Sequence, residues 1–286
     1  MNEKNSTGAE KQQTAMEIGE TEKMMDGQAV TAEKKLSLFS RFWAALIFFT
    51  RLPWWKLKEV ESECFKHVVP FWPLVGWLTG GVMAGVLWLG GQVLPVSVAW
   101  LLAIVARMWL TGALHEDGLA DFMDGFGGGM TRDRVLVIMK DSHIGTYGVL
   151  TLLVYVALLW QLHAVRLETL CLWVLCGDAF AKFCTSQLVN VLPYARKEEE
   201  SKAKIVYHRM SKVEKAVSLV GGVLPVVCLL PLEFGMAVLA PVLVAAGLYL
   251  YIKKRIQGYT GDCCGAVFLL SELAFYLGCM VIYYQG

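Results

Sequence analysis

VPFWPLVGWLTGGVMAGVLWLGGQVL, residues 69–94, runs without a single Asp, Glu, Lys or Arg. An α-helix rises about 1.5 Å per residue, so about 20 apolar residues cross about 30 Å of hydrocarbon. The stretch therefore reads as a membrane span. Six further segments come close to the same pattern: 97–114, 143–163, 168–192, 213–232, 234–252 and 262–284. The segment 97–114 is slightly short. The pair 213–232 and 234–252 is parted only near Pro231–Gly235, which predicts a tight hairpin. Phe42–Trp55, with Arg51 and Pro53 inside it, is too short and too basic to span; it reads as an interfacial helix with aromatic anchors. The expected fold is an all-α polytopic membrane protein of about seven transmembrane helices, forming one helical domain over residues 41–286.

Composition agrees. Hydrophobic residues make up 56% and charged residues 18%, against about a quarter charged in a soluble domain. A net charge of +1 gives no basic excess of the kind that nucleic acid requires. The eight cysteines form no C-x-x-C pair and mostly fall in apolar runs, so they read as small core hydrophobes rather than zinc ligands. Residues 1–40 are polar, charged and poor in aromatics; they are expected to be a disordered tail and lack the apolar core of a signal peptide.

Loop charge sets the expected orientation. The loops on one side of a seven-span arrangement (34–68, 115–142, 193–215 and 253–261) hold 20 Lys and Arg, whereas the opposite loops hold only Arg166. The positive-inside rule then predicts a cytoplasmic N-terminus and an outside C-terminus.

The segment HEDGLADFMDGFGGGMTRDR, 115–134, follows the second apolar run on the basic side. Asp117, Asp121 and Asp124 stand at i, i+4 and i+7, within an arc of about 60° on a helix. Three carboxylates on one face repel one another. Hard divalent cations such as Mg²⁺ bind through such oxygens while keeping positions for phosphate. The trio reads as a metal and phosphate site. The competing reading is a solvated acidic turn, with Asp117 as N-cap and Gly118 as a break. The small residues Gly118 and Ala120 favour the former by leaving room for a helix or ligand. The glycines at 125 and 127–129 lack the G-K-[ST] ending of a phosphate loop and read as a flexible turn. Arg132, Arg134 and Lys140 make the segment acidic first and basic second, which suits a diphosphate bridged by metal and clamped by cations.

Other ionisable groups are candidates by position. Asp141 either caps the third span or joins the acidic cluster. Arg196, in LPYAR (192–196), is a phosphate ligand or a basic anchor. Asp262 caps the last span or faces the site. Glu272 lies ten residues further in, about 15 Å deeper, where a charge costs at least about 2.5–3.5 kcal/mol. Arg107 and the i, i+4 pair Asp178 and Lys182 are also deep, and a polar network beneath the site would account for all four. The histidines at 67, 115, 143, 163 and 208 show no ligand spacing.

FFTRLP (48–53), the span from Pro70, LHEDGLADFMDGFGGG (114–129), IMKDSHIGTYG (138–148), LPYAR and YTGDCCGA (259–266) with Glu272 occur in this order. Together they resemble the cobalamin synthase (adenosylcobinamide-GDP ribazoletransferase) family. The stretch KEEESKAKIVYHR after PYAR departs from the family's glycine-containing pattern, and the tail has no counterpart. The resemblance implies a Mg²⁺-dependent transferase of the EC 2.7.8 type in the late steps of cobalamin biosynthesis. The 5′ oxygen of α-ribazole, or of its 5′-phosphate, attacks adenosylcobinamide-GDP and GMP leaves. It implies a multi-pass protein of the plasma (inner) membrane whose site faces the cytoplasm, with the lipid bilayer as partner and a homo-oligomer compatible. Asp117, Asp121 and Asp124 would hold metal, with Asp124 shared between metal and base roles, and Asp141 is a further catalytic candidate. Arg51, Lys140, Arg196, Asp262 and Glu272 would bind substrate.

Two rival readings carry different signatures. A CDP-alcohol phosphotransferase would place Arg where Asp121 follows Ala120. A transporter would place its key polar groups at the midplane and often shows an inverted repeat; no repeat is visible, and the richest cluster lies at the membrane edge.

Overall fold

The computed structural model describes residues 36–196 and 205–285, and the described residues from Phe39 onward form one compact unit. Most of the expected tail lies outside the described residues. All regular structure among them is helical: α1 Leu38–Phe49, α2 Trp72–Gly91, α3 Val96–Thr111, α4 Leu114–Gly128, α5 Arg132–Lys140, α6 Thr146–Trp160, α7 Leu167–Ser186, α8 Lys212–Leu229, α9 Leu239–Ile256 and α10 Gly261–Gln285. A one-turn helix, Leu188–Val191, follows α7, and a single β-bridge joins Tyr194 to Tyr259.

The seven apolar runs each become a helix, but they are not equally apolar. Four helical stretches are long and apolar enough to cross a membrane: Val69–Gly91, Thr146–Ala164, Leu232–Ile256 and Gly261–Gln285. Helix α7 carries Glu168, Asp178 and Lys182, and α8 opens with Lys212, Glu214 and Lys215, so neither is apolar throughout. Helix α3, at 16 residues, is too short alone; with α4 it makes a pair bent by 88°, a fifth span if the two act as one.

That bend has a local cause. Gly112 (φ 68°) and Ala113 (φ 56°) are both left-handed, and the Ala113 N–H donates back to Met108 O at 2.8 Å. Glycine adopts this conformation without penalty, whereas a residue with a Cβ gives up about 1–2 kcal/mol. Two consecutive left-handed residues end α3 and send the chain off sideways as α4. The expectation of a flexible glycine turn is corrected here. Gly125, Gly127 and Gly128 are helical, and Gly129 caps α4 with its N–H on Gly125 O at 2.9 Å. Gly125 packs under Met139 and Val135 of α5, and Gly127 under Tyr147 of α6. They are there because a side chain would not fit.

Helix α2 packs against α7 and α3, and α10 packs against α4, α9 and α7. The centre of the bundle is α7 and α10, where Trp173, Phe268, Phe275 and Tyr276 are fully buried. Pro231 and the seven-residue turn Leu232–Val238 separate α8 from α9; α8 packs on α7 and α2 while α9 packs on α10, so the expected tight hairpin is corrected to two helices with different neighbours. Helix α8 starts at a capping box: Ser211 accepts from Glu214 N at 3.3 Å, and the Glu214 carboxylate accepts from Ser211 N at 2.8 Å.

Candidate active site

Two helices begin side by side at one end of the bundle, α4 and α10. Their contact is glycine on glycine. A Cβ on Gly118 would lie 3.2 Å from Asp262 Cα and 3.3 Å from Gly265 Cα, and one on Gly265 would lie 3.0 Å from His115 O. The backbones touch, so the first turns of both helices face the same space. That space is a cleft that opens to the outside at one end of the bundle.

Asp117 from α4, Asp262 from α10 and Arg196 from the PYAR loop line the cleft. The bridge between Tyr194 and Tyr259 brings the last of these in, with Ala195 N donating to Tyr259 O at 2.8 Å and Tyr259 N to Pro193 O at 2.9 Å. Arg132 locks the arrangement, donating to Ala195 O at 2.6 Å and Ile256 O at 3.1 Å. Arg132 therefore works as a clamp on the loops, not as a free phosphate ligand. Arg196 is braced by its own bond to Leu136 O at 2.7 Å.

The other wall is aromatic. Trp72 stacks on Phe49 at 4.8 Å with planes 4° apart and on His115 at 5.5 Å. Phe48 and Tyr207 meet edge-on at 6.1 Å beside them. His115 is 2% exposed, lines the cleft, and has hydrogen-bond partners at neither ring nitrogen. Neither the histidine nor the aromatic wall was expected to form part of the site. The only sequence signal for His115 is its place beside the aspartate motif.

Beneath this floor lies the polar network that the deep charges predicted. The Arg107 guanidinium meets Glu272 Oε1 at 2.5 Å and donates to Tyr155 OH at 3.1 Å. Tyr155 and Tyr276 hydroxyls donate to Glu272 at 3.2 and 2.9 Å. Lys182 bridges Asp178 and Thr79, with Thr79 Oγ1 at 2.7 Å. Glu116, whose oxygens have no hydrogen-bond partner, faces Arg107 at 3.7 Å. Phe268 connects the two layers: Lys182 Nζ sits 4.5 Å over its ring, and His115 packs on it at 4.8 Å.

A sequence model of cobalamin-5-phosphate synthases matches residues 41–280. The chain belongs to the cobalamin-5-phosphate synthase family. It is 38% identical over 251 residues to an adenosylcobinamide-GDP ribazoletransferase of Leptothrix cholodnii, covering 83% of this chain and 93% of that one. It is 37% identical over 253 residues to the protein of that name from Shewanella baltica, covering 84% and 94%. For the one from Shewanella frigidimarina the identity is 35% over 252 residues, covering 85% and 95%. No solved structure matches.

Within this family member the expected site residues separate into three groups. Asp117, Arg196 and Asp262 share the cleft, and Asp121 lies one turn beyond Asp117, 7% exposed. Asp124 points elsewhere: its two oxygens accept from Gly145 N at 2.6 Å and Gly148 N at 2.8 Å, capping α6. The aspartate trio shares a face but does not converge on one point. The remaining candidates lie outside the cleft lining. Asp141 is exposed and paired with His143 at 2.7 Å, and that hydrogen bond holds its carboxyl below the usual range. Lys140 is exposed at the end of α5. Arg51 packs over Gly112, with its N–H on Leu110 O at 2.7 Å. Glu272, expected at the substrate, is fully buried in the network instead.

Proposed function

We propose that this chain is an adenosylcobinamide-GDP ribazoletransferase of the bacterial inner membrane. In α-ribazole 5′-phosphate the 5′ oxygen is already esterified, so the attacking group common to α-ribazole and its 5′-phosphate is a free ribose hydroxyl, whose oxygen bonds to the cobinamide-side phosphorus of adenosylcobinamide-GDP. The bond from that phosphorus to the bridging oxygen breaks, GMP departs, and the hydroxyl proton passes to a carboxylate. Family membership and the names of the relatives support the reaction. The observation that carries the site is the glycine crossing that turns Asp117 and Asp262 into one cleft, which Arg196 also lines.

The donor set fits Mg²⁺. Asp117 and Asp262 offer hard oxygens from two helices, with Asp121 adjacent, and such an ion keeps several positions for phosphate and water. When bound, Mg²⁺ would neutralise charge on the diphosphate and on departing GMP. Arg196, on the same cleft, holds a phosphate oxygen. Asp117, more exposed than Asp121, is the better placed to receive the attacking hydroxyl's proton. Phe48 and Tyr207, the half-exposed members of the aromatic wall, give a flat base a surface to pack on.

The basic loops favour a cytoplasmic cleft and about seven spans, with α7 and α8 crossing despite their charges because those charges are paired or lie at helix ends. Helix α1 would then lie along the interface. The decisive experiment incubates membranes with adenosylcobinamide-GDP, α-ribazole and Mg²⁺ and looks for GMP and a completed cobamide. Substrate that moves across vesicles without being converted would overturn the reading.

A further inference from the structure

The Glu63, His67 and His208 side chains stand apart from the cleft lining, each offering one ligand atom within 4.8 Å of the others. We propose that they form a second metal site, for a borderline divalent ion such as Zn²⁺, that clips the loop carrying Tyr207 onto the turn preceding α2. Two imidazoles and one carboxylate are a zinc-like donor set, unlike the all-oxygen set of the cleft.

The geometry of the histidines supports this. His67 Nδ1 lies 2.9 Å from Glu214 Oε1, and the Glu214 carboxylate is itself fixed by Arg41 at 2.9 Å and Ser211 N at 2.8 Å. A carboxylate on one ring nitrogen sets the tautomer and leaves the other, Nε2, as a ligand, the usual support for a metal-bound histidine. The His67 and His208 ring centroids are 5.0 Å apart with planes at 80°. In a tetrahedral site each ring centre lies about 3.2 Å from the ion, and an angle of about 109° places two of them about 5.2 Å apart. The backbone already holds the loop there, because His208 N donates to Lys66 O at 2.9 Å. Lys66 Nζ contacts Glu63 Oε2 at 2.9 Å and would share that carboxylate or yield it. His208 is exposed and Glu63 partly so, and binding would require these two side chains to rotate and close the remaining gap. Water fills the fourth position. Since Tyr207 and Ile205 line the cleft, the ion would fasten one of its walls.

The test uses the untagged full-length protein in detergent with Mg²⁺ in excess. Co²⁺ titration should give one equivalent with the visible absorption of a four-coordinate ion, displaced by Zn²⁺. His208→Ala and Glu63→Gln should each weaken binding at least tenfold, while Asp117→Asn binds as wild type does. Absence of this band in the wild-type protein overturns the proposal. Equal binding by both site variants, or its loss in Asp117→Asn, does so as well.

Discussion

Gly118 and Gly265 meet backbone to backbone, their Cα atoms so close that a Cβ built on either would stand 3.2–3.3 Å from the other's Cα. The partner atoms are main chain and cannot rotate away, so a methyl group must push the helices apart. Gly118→Ala is expected to insert normally and to lose at least tenfold in activity, since sub-ångström displacement of positioned groups is costly to rate. Gly81→Ala, where a Cβ meets nothing within 4 Å, should keep wild-type activity. GMP release per unit of inserted protein is the measurement; equal rates for the two variants would remove the crossing from the account.

The cleft carboxylates should behave differently from a structural acid. Asp117→Asn, Asp121→Asn and Asp262→Asn are each expected to lower turnover by about a hundredfold or more, the scale of a lost acid–base or metal-supporting group. At least one should also raise the Mg²⁺ concentration needed for half-maximal rate. Near-normal turnover in Asp121→Asn would sink the metal assignment for α4.

Asp124 joins α4 to the first turn of α6 through two backbone N–H groups. Removing an N-cap costs about 0.5–2 kcal/mol. Asp124→Ala should therefore lower the melting temperature in detergent, with a smaller fall for Asp124→Asn, whose side-chain oxygen still accepts one bond. Its apparent Mg²⁺ affinity should match that of wild type; a tenfold loss would return Asp124 to the metal.

The Arg107–Glu272 pair is fully buried. Deleting one member of such a pair typically costs about 3–5 kcal/mol, because the other is left as an uncompensated charge. Glu272→Ala is expected to give little folded protein by size exclusion, and Glu272→Gln more, since its amide oxygen can still accept from Arg107 and Tyr276. Identical yields for the two would mean that packing, not charge, is what Glu272 supplies.

Much of this was legible in the chain because it is local. Apolar runs gave the helices within a few residues, and the motif ends placed Asp117, Arg196 and Asp262 where the cleft formed. What stayed hidden depends on distant partners. Nothing near Asp124 in sequence says that its carboxylate serves Gly145 and Gly148. LTGALH contains no proline, yet Gly112 and Ala113 turn the chain by 88° there. Arg132 reads as a phosphate ligand until two carbonyls are found to occupy it.

The network under the cleft also bears on how the protein is made. Arg107 and Glu272 are 165 positions apart, so a growing chain makes the arginine long before its main counter-ion exists. Until α10 arrives, α3 carries a guanidinium without that partner; at mid-membrane, where the proposed topology would put it, this costs at least about 2.5–3.5 kcal/mol. The last helix to be synthesised is therefore the one that closes the electrostatics of the earlier ones. A chain cut short before Glu272 would leave Arg107 with only its looser partners, Glu116 at 3.7 Å and Asp178 at 3.9 Å.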